Sequence, residues 1–282
     1  DRINRRGLRF IDLFSPDWEE RVKKESENQL GIIEDMREDV KRKTGLISKV
    51  NKKIDLKEII NLVSSARKFL SPYASNTLDF VWKAIDKNTK ILFEDSHGAM
   101  LDVSHGSWPF TTGVNTGVGA VQRSFGGKAV RSLIKVVTAS KAYQTRVGGG
   151  PMPTEDFAKF GEYVRTRGGE VGTRSGRARR CGAFDAPIVR YGLEVIGASK
   201  NDEIALTKLD VLSGLAKIPV CVGYFYKKKL FGTTPRADAL FLSEVKPKIV
   251  YLAGWKEDIS KARKFKDLPK TAQNYVLFIQ KL

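Results

Sequence analysis

The chain has 282 residues, enough for one large domain or two small ones with a substantial core. Its 50 Lys and Arg against 32 Asp and Glu leave a net charge of +18, which admits nucleic acid, acidic membranes or phosphorylated small molecules as partners. Two cysteines, Cys181 and Cys221, cannot build a disulfide framework, and neither sits in a C-x-x-C pair suited to zinc or redox work. They read as reduced thiols, and with no apolar run of membrane-spanning length and no secretory signal the expectation is a cytoplasmic protein. No RNP-like aromatic motif, zinc-finger spacing or heptad repeat accompanies the charge, so nucleic acid is a weak candidate. The chain opens at Asp1 rather than Met, inside a charged stretch, and reads as less than a full gene product.

Ser15-Pro16-Asp17, followed by Trp18 and Glu19, predicts a helix start, with the helix running to about Lys43 and a break possible at Gly31. After a loop from Thr44 to Asp55, Asp55 and Glu58 open a helix with Leu56, Ile59, Ile60, Val63, Ala66 and Leu70 at helical spacing. Pro72 ends it, and a further helix covers Thr77 to Ile85. Strands, glycine loops and helices then alternate, the pattern of an α/β domain. Strands are predicted at Lys90 to Glu94, Leu133 to Lys141, Glu203 to Leu206 and Val220 to Tyr226. Helices are predicted from a cap at Thr154 to Gly168-Gly169, from Asp185-Ala186-Pro187 onward, and after Leu268-Pro269.

Ligands of open α/β sheets sit beyond the carboxyl ends of strands. The polar clusters fall at such ends: Asp95 to His97, Arg146 to Arg180, and Thr207-Lys208-Leu209-Asp210. Four arginines, Arg174, Arg177, Arg179 and Arg180, lie within seven residues among Gly172, Gly176 and Gly182. Planar guanidinium forks beside glycine backbone suit carboxylates or phosphates, although a solvated basic loop has the same composition. In the T-K-L-D tetrapeptide, Asp210 could accept from guanine N1–H and its exocyclic amine while the Lys208 stem lies along the purine; a capping Asp would look the same. Asp95, His97 and His105 make a poor metal set, and His97 is open to substrate contact. Gly126-Gly127-Lys128 fails the phosphate-loop pattern, with Gln122 and Ala129 at its key positions.

Taken together, these strings carry a resemblance. F-E-x-x-x-G-x-x-L-D-x-x-H-G-x-x-P-F from Phe93, K-A-Y-x-T-R-V-G-x-G-P-x-P-T-E from Lys141, G-x-x-S-G-R-x-R-R-C-G-x-x-D from Gly172 and T-K-L-D-V-L-x-G-L from Thr207 resemble the adenylosuccinate synthetase family. R-R-G-L-R-x-x-D-L-F from Arg5, Gly254-Trp255 and Leu268-Pro269 with Asn274-Tyr275 match further landmarks, so the resemblance spans nearly the whole chain.

The resemblance implies one large P-loop-GTPase-like α/β domain with a central, mostly parallel sheet flanked by helices. A helical subregion would cover about 15–87 and a nucleotide- and aspartate-binding core about 88–282. It implies GTP-dependent joining of IMP and L-aspartate through a 6-phosphoryl-IMP intermediate, with Mg²⁺, in a homodimer. IMP contacts would fall on Arg5, from the neighbouring subunit, and on His97, Thr112, Val147 and Arg177. Aspartate contacts would fall on Ser175, Arg177 and Arg179, and GTP contacts on Arg179, Lys208 and Asp210. The family's catalytic loop, with its Asp, Lys and His, is expected before Asp1, and the segment completing the guanine pocket after Leu282; neither catalytic nor metal-binding residues are therefore assigned here. Asp95 and His97 depart from the family's F-E-G-x-Q-G, which leaves open a phage-type relative that uses dGMP to make a 2-aminoadenine precursor. A truncated homologue that binds nucleotide without catalysis is the other alternative.

Overall fold

The computed structural model describes residues 7–45, 55–156, 159–172, 176–199 and 201–282. Helix α1 (Trp18–Thr44) follows Asp17, carries Glu19 and Glu20 in its first turn and Lys41, Arg42 and Lys43 in its last, each sign placed where the helix dipole favours it. It ends at Gly45, whose φ of 69° is the left-handed conformation that glycine adopts without strain. The helix runs unbroken through Gly31, because one interior glycine costs only about 1 kcal/mol relative to alanine. Helix α2 (Leu56–Leu70) is capped by Asp55, whose carboxylate accepts from the Lys57 N–H at 2.8 Å. Trp18 and Val22 are buried, and the Arg67 guanidinium stacks 5.0 Å from the Trp18 ring.

The chain divides into two compact units at Phe80 and Val81. Helix α3 (Thr77–Asp86) crosses that division. The second unit has the expected α/β class. Its elements are α4 (Val118–Arg131), β1 (Val137–Lys141), β2 (Gln144–Arg146), α5 (Lys159–Gly168), β3 (Arg180–Gly182), β4 (Phe184–Asp185), α6 (Ala186–Ile196), β5 (Glu203–Thr207), β6 (Lys217–Tyr226), β7 (Lys229–Phe231), α7 (Ala239–Glu244), β8 (Lys246–Ala253) and α8 (Lys270–Lys281).

Parallel pairing joins β1 to β5 and β4 to β6. Antiparallel pairing joins β2 to β3, and β6 to both β7 and β8. The register of β1 and β5 brings Lys141 opposite Thr207, so the loops leaving both strands start side by side. Between β6 and β7 the turn residues Lys227 and Lys228 both have positive φ, 46° and 65°, the signature of a tight hairpin turn whose twist matches its strands. The lysine cluster is thus the tip of a hairpin.

Several sequence expectations are corrected. Lys90 to Glu94 is not a strand: no partner ladder meets it among the described residues, and Leu92 is 90% exposed. The strand expected from Leu133 begins only at Val137. Thr154 does not cap α5; the Asp156 carboxylate accepts from the Phe160 N–H at 3.2 Å and serves that end instead. Gly126, in the near-match to a phosphate loop, is a kink inside α4 with φ 76°.

Around β6 the core gathers Tyr143, Phe160, Val164, Phe184, Leu212, Ile218, Val220, Trp255 and Tyr275. A second cluster holds Cys221, Tyr224, Phe241, Leu242 and Val245. Each of the three most deeply buried tyrosines finds an acceptor: Tyr143 on Glu170, Tyr224 on Asp185 and Tyr275 on the Ala142 carbonyl, all at 2.6 Å. The two cysteines are free and buried, and burial lifts the thiols of Cys181 and Cys221 to about 11 and about 12, where they are inert. No helix among the described residues is long and apolar enough to cross a membrane.

Candidate functional site

The expected clusters lie along loops that leave β1, β2 and β5. From β1 the chain turns through buried Ala142 and Tyr143 into β2, which pairs Arg146 with Arg180 across the β2–β3 ladder. Both arginines serve glycine-rich backbone. Arg146 donates from Nε to the Gly149 carbonyl at 2.8 Å and from Nη2 to Ser107 Oγ at 2.8 Å and the Phe110 carbonyl at 3.1 Å. Arg180 donates from Nη1 to the Gly150 carbonyl at 2.6 Å and pairs with Glu155 through Nε at 2.8 Å and through Nη2. Burial, reinforced by the nearby Arg180 charge, holds the Arg146 guanidinium below its ordinary value. Gly150, at φ 92°, lets this wrapping close: a Cβ there would stand 2.5 Å from Arg146 Nη2.

The arginine loop hangs from a narrow neck. Val171 bridges Ala178, the Gly172 N–H donates to the Arg177 carbonyl at 2.8 Å, and the Arg179 N–H donates to the Glu170 carbonyl at 2.9 Å. Arg177 and Arg179 therefore sit on one arm of a short antiparallel ribbon. Arg5, an IMP candidate, and Ser175, an aspartate candidate, lie outside the described residues, as does Arg174.

Below the neck is a charged cluster that sequence reasoning missed. Glu170, 2% exposed, accepts from Lys141 Nζ at 2.7 and 2.6 Å, from the Tyr143 hydroxyl at 2.6 Å and from Arg179 Nη1 at 2.9 Å. Burial pushes the Glu170 carboxyl up, but the Lys141, Tyr143 and Arg179 hydrogen bonds outweigh it and hold the group below its ordinary value. Burial likewise draws Lys141 below its ordinary value against the pull of Glu170, and raises the Tyr143 phenol. The available signal was an acid directly after Gly168-Gly169, at the head of a long basic stretch.

The T-K-L-D segment meets the same place. Lys208, at φ 60°, donates from Nζ to the Gly168 carbonyl at 2.9 Å, where the C-terminal end of α5 favours a cation. Asp210 lies in a short 3-10 turn (Leu209–Leu212), and the Ser213 N–H donates to its carbonyl at 3.2 Å. Under that turn, Trp255 Nε1 donates to Ser213 Oγ at 3.0 Å and the Gly214 N–H to the Trp255 carbonyl at 2.7 Å. The structure thus brings Arg179, Lys208 and the residues around Gly168 and Glu170 together.

Two of the other nucleotide candidates, His97 and Thr112, stand along the loop after Phe93, and the third, Val147, follows β2. His97 is exposed, has φ 80° and lies 3.1 Å by Nδ1 from Ser96 Oγ. Thr112 is half-buried and donates its N–H to the Leu101 carbonyl at 2.8 Å. Val147, 47% exposed, follows β2 directly. The loop is organised on buried Asp102, which accepts from the N–H groups of Ser104, His105 and Thr116 at 2.8, 2.9 and 2.7 Å. His105 leans on the same carboxylate at 3.3 Å, a local role within the loop. Asp95, one of the two departures from the family pattern, accepts from the Gly117 N–H at 2.6 Å and so has a local structural role.

Among the described residues no group of three or more His, Cys, Asp or Glu could hold a metal ion.

A family model described as adenylosuccinate synthetase matches residues 1–282. The adenylosuccinate synthetases of Bifidobacterium adolescentis and Geobacter metallireducens are each 38% identical over 284 residues, covering 100% of this chain. The solved structure of fully ligated adenylosuccinate synthetase from Plasmodium falciparum superposes with a TM-score of 0.84 at 32% identity over 99% of this chain. The chain spans 62% of the length of each of these relatives. A family-model match over every residue and a fold match over 99% of the chain mean that the chain belongs to the adenylosuccinate synthetase family.

Proposed function

We propose that the protein joins IMP and L-aspartate into adenylosuccinate at the expense of GTP, as the ligase step toward AMP. The γ-phosphoryl group passes to the purine 6-oxygen, converting it to a phosphate leaving group. The aspartate amine then forms the C–N bond as phosphate departs, leaving GDP. Mg²⁺ supplies charge neutralisation on the nucleotide phosphates. The roles assigned to this chain are binding and orientation.

The observation that best supports this reading is the convergence on Gly168–Glu170. Arg179 is bonded to Glu170, and Lys208 is bonded to Gly168. A dicarboxylate clamp and a guanine reader built on one three-residue segment would hold the amino acid close to the nucleotide. In this assignment Ser175, Arg177 and Arg179 take the aspartate carboxylates. Lys208 and Asp210 read guanine, with Arg179 also serving GTP, and His97, Thr112, Val147 and Arg177 line the IMP site. Arg5 reaches the IMP phosphate of a second subunit in a cytoplasmic homodimer. The family match favours neither the dGMP-using relative nor the non-catalytic homologue, and Asp95 is explained by its bond to Gly117. A coupled assay of the full-length protein with GTP, IMP, L-aspartate and Mg²⁺ should yield adenylosuccinate; a folded protein that makes none refutes the reaction.

A further inference from the structure

Arg179 is held in an unusual way for a residue assigned to ligand binding. Its backbone N–H and its side-chain Nη1 both go to Glu170, at 2.9 Å each. Its Nε is buried and has no hydrogen-bond partner among the described residues. A buried guanidinium N–H is costly to leave without an acceptor, so this one calls for a partner beyond the described residues, a water or a ligand oxygen. Glu170 is fixed from the other side by Lys141 and Tyr143, and Lys141 is in turn bonded to Thr145 Oγ1 at 2.9 Å. The carboxylate cannot rotate away from Arg179 without abandoning two further donors.

We infer that Glu170 is a positioning residue: it occupies Nη1 of Arg179 and thereby presents the Nε–Nη2 edge of the guanidinium for two-point capture of a ligand carboxylate. An arginine fork binds carboxylate strongly only when two N–H groups point along the two oxygens, and a guanidinium free to swing about its long stem loses part of that binding in ordering itself. The buried, unpaired Nε–H is satisfied when a carboxylate oxygen arrives. This inference rests on the reading of Arg179 as an aspartate contact.

The test uses the full-length protein and two variants. Glu170→Gln keeps the size of the side chain but removes its charge. Because it leaves Lys141 and Arg179 facing a neutral group, the pair Glu170→Gln with Lys141→Met serves as a charge-balanced second variant. The KM for L-aspartate is expected to rise about tenfold or more in both, while the KM for IMP stays within about threefold. A merely structural role would raise both together or lower kcat alone, and either result overturns the inference. Independently of turnover, the wild-type Arg179 Nε–H should give a resolved, slowly exchanging NMR resonance that shifts when L-aspartate is added and collapses into the bulk guanidinium signals in the variants. An Arg179 resonance that exchanges as fast as exposed arginines in the wild type, or is unchanged in the variants, also overturns it. If the wild-type protein makes no adenylosuccinate the proposed reaction fails, and the resonance still decides whether Glu170 positions Arg179.

Discussion

Lys208 donates from Nζ to the carbonyl oxygen of Gly168 at 2.9 Å, tying the loop after β5 to the last turn of α5. Two segments forty residues apart in sequence are thereby joined next to Glu170 and the neck of the arginine loop. A lysine stem fixed at its tip becomes a rigid apolar rail, which suits it to lie along a purine face.

Asp210→Asn is expected to weaken GTP use while sparing the binding of IMP. An amide offers one acceptor and one donor where the carboxylate could accept twice from guanine, so one charge-assisted bond is lost and another becomes a clash of donors. The loss should be about 1.5–3 kcal/mol, or roughly tenfold to 150-fold in the KM for GTP. Steady-state kinetics with GTP varied at saturating IMP and L-aspartate measure it; an unchanged KM removes Asp210 from the guanine site.

Arg177→Leu should raise the KM for L-aspartate by about tenfold or more and leave that for GTP much closer to wild type, since a carboxylate loses a charged partner. An equal loss for L-aspartate and GTP would contradict the assignment.

Asp185 links the site's scaffold to pH. It caps α6 through the Ile188 N–H at 3.3 Å, accepts from the Tyr224 hydroxyl and is 1% exposed. Burial, only partly offset by those bonds, lifts its carboxyl to about 7. The folded state therefore binds this proton more tightly than the unfolded state does. The resulting stabilisation is full below about pH 4 and is lost as pH rises through about 7. Asp185→Asn should remove that slope, so urea unfolding from pH 4 to 8 should show the wild type losing stability relative to the variant. A constant difference between the two across that range would argue against a buried neutral carboxyl.

Gly182→Ala tests how tightly the site's ribbons are pressed together. A Cβ at Gly182 would stand 2.0 Å from the Thr154 carbonyl oxygen, a backbone atom that cannot step aside cheaply. Destabilisation of about 3 kcal/mol is expected, read as a lower urea midpoint. Alanine at Gly31, where nothing lies within 4 Å of the added atom, should be neutral or stabilising.

Local chemistry was legible wherever it is decided by neighbours in sequence. Asp55 and Asp185 cap the helices that their positions announced. The apolar runs of β5 and β6 were found for the same reason. Strand β8 was missed because Lys246, Pro247 and Lys248 break its apolar pattern, and only its pairing with β6 makes it a strand. Lys90 to Glu94 was misread in the opposite sense: its composition suits a strand, but a strand exists only where a ladder partner is supplied.

The sequence by itself determined the α/β class of the second unit, the order of the motifs and, through their strings, the family. Those depend on periodicity, capping and residue identity, all written along the chain. Only the tertiary structure decided that Glu170 is the anchor of Arg179, that Lys208 reaches Gly168, and that Gly126-Gly127-Lys128 is a kinked helix. A glutamate between a glycine pair and a run of arginines looks solvated in sequence. Burial among Lys141, Tyr143 and Arg179, drawn from three separate segments, is what makes its charge indispensable.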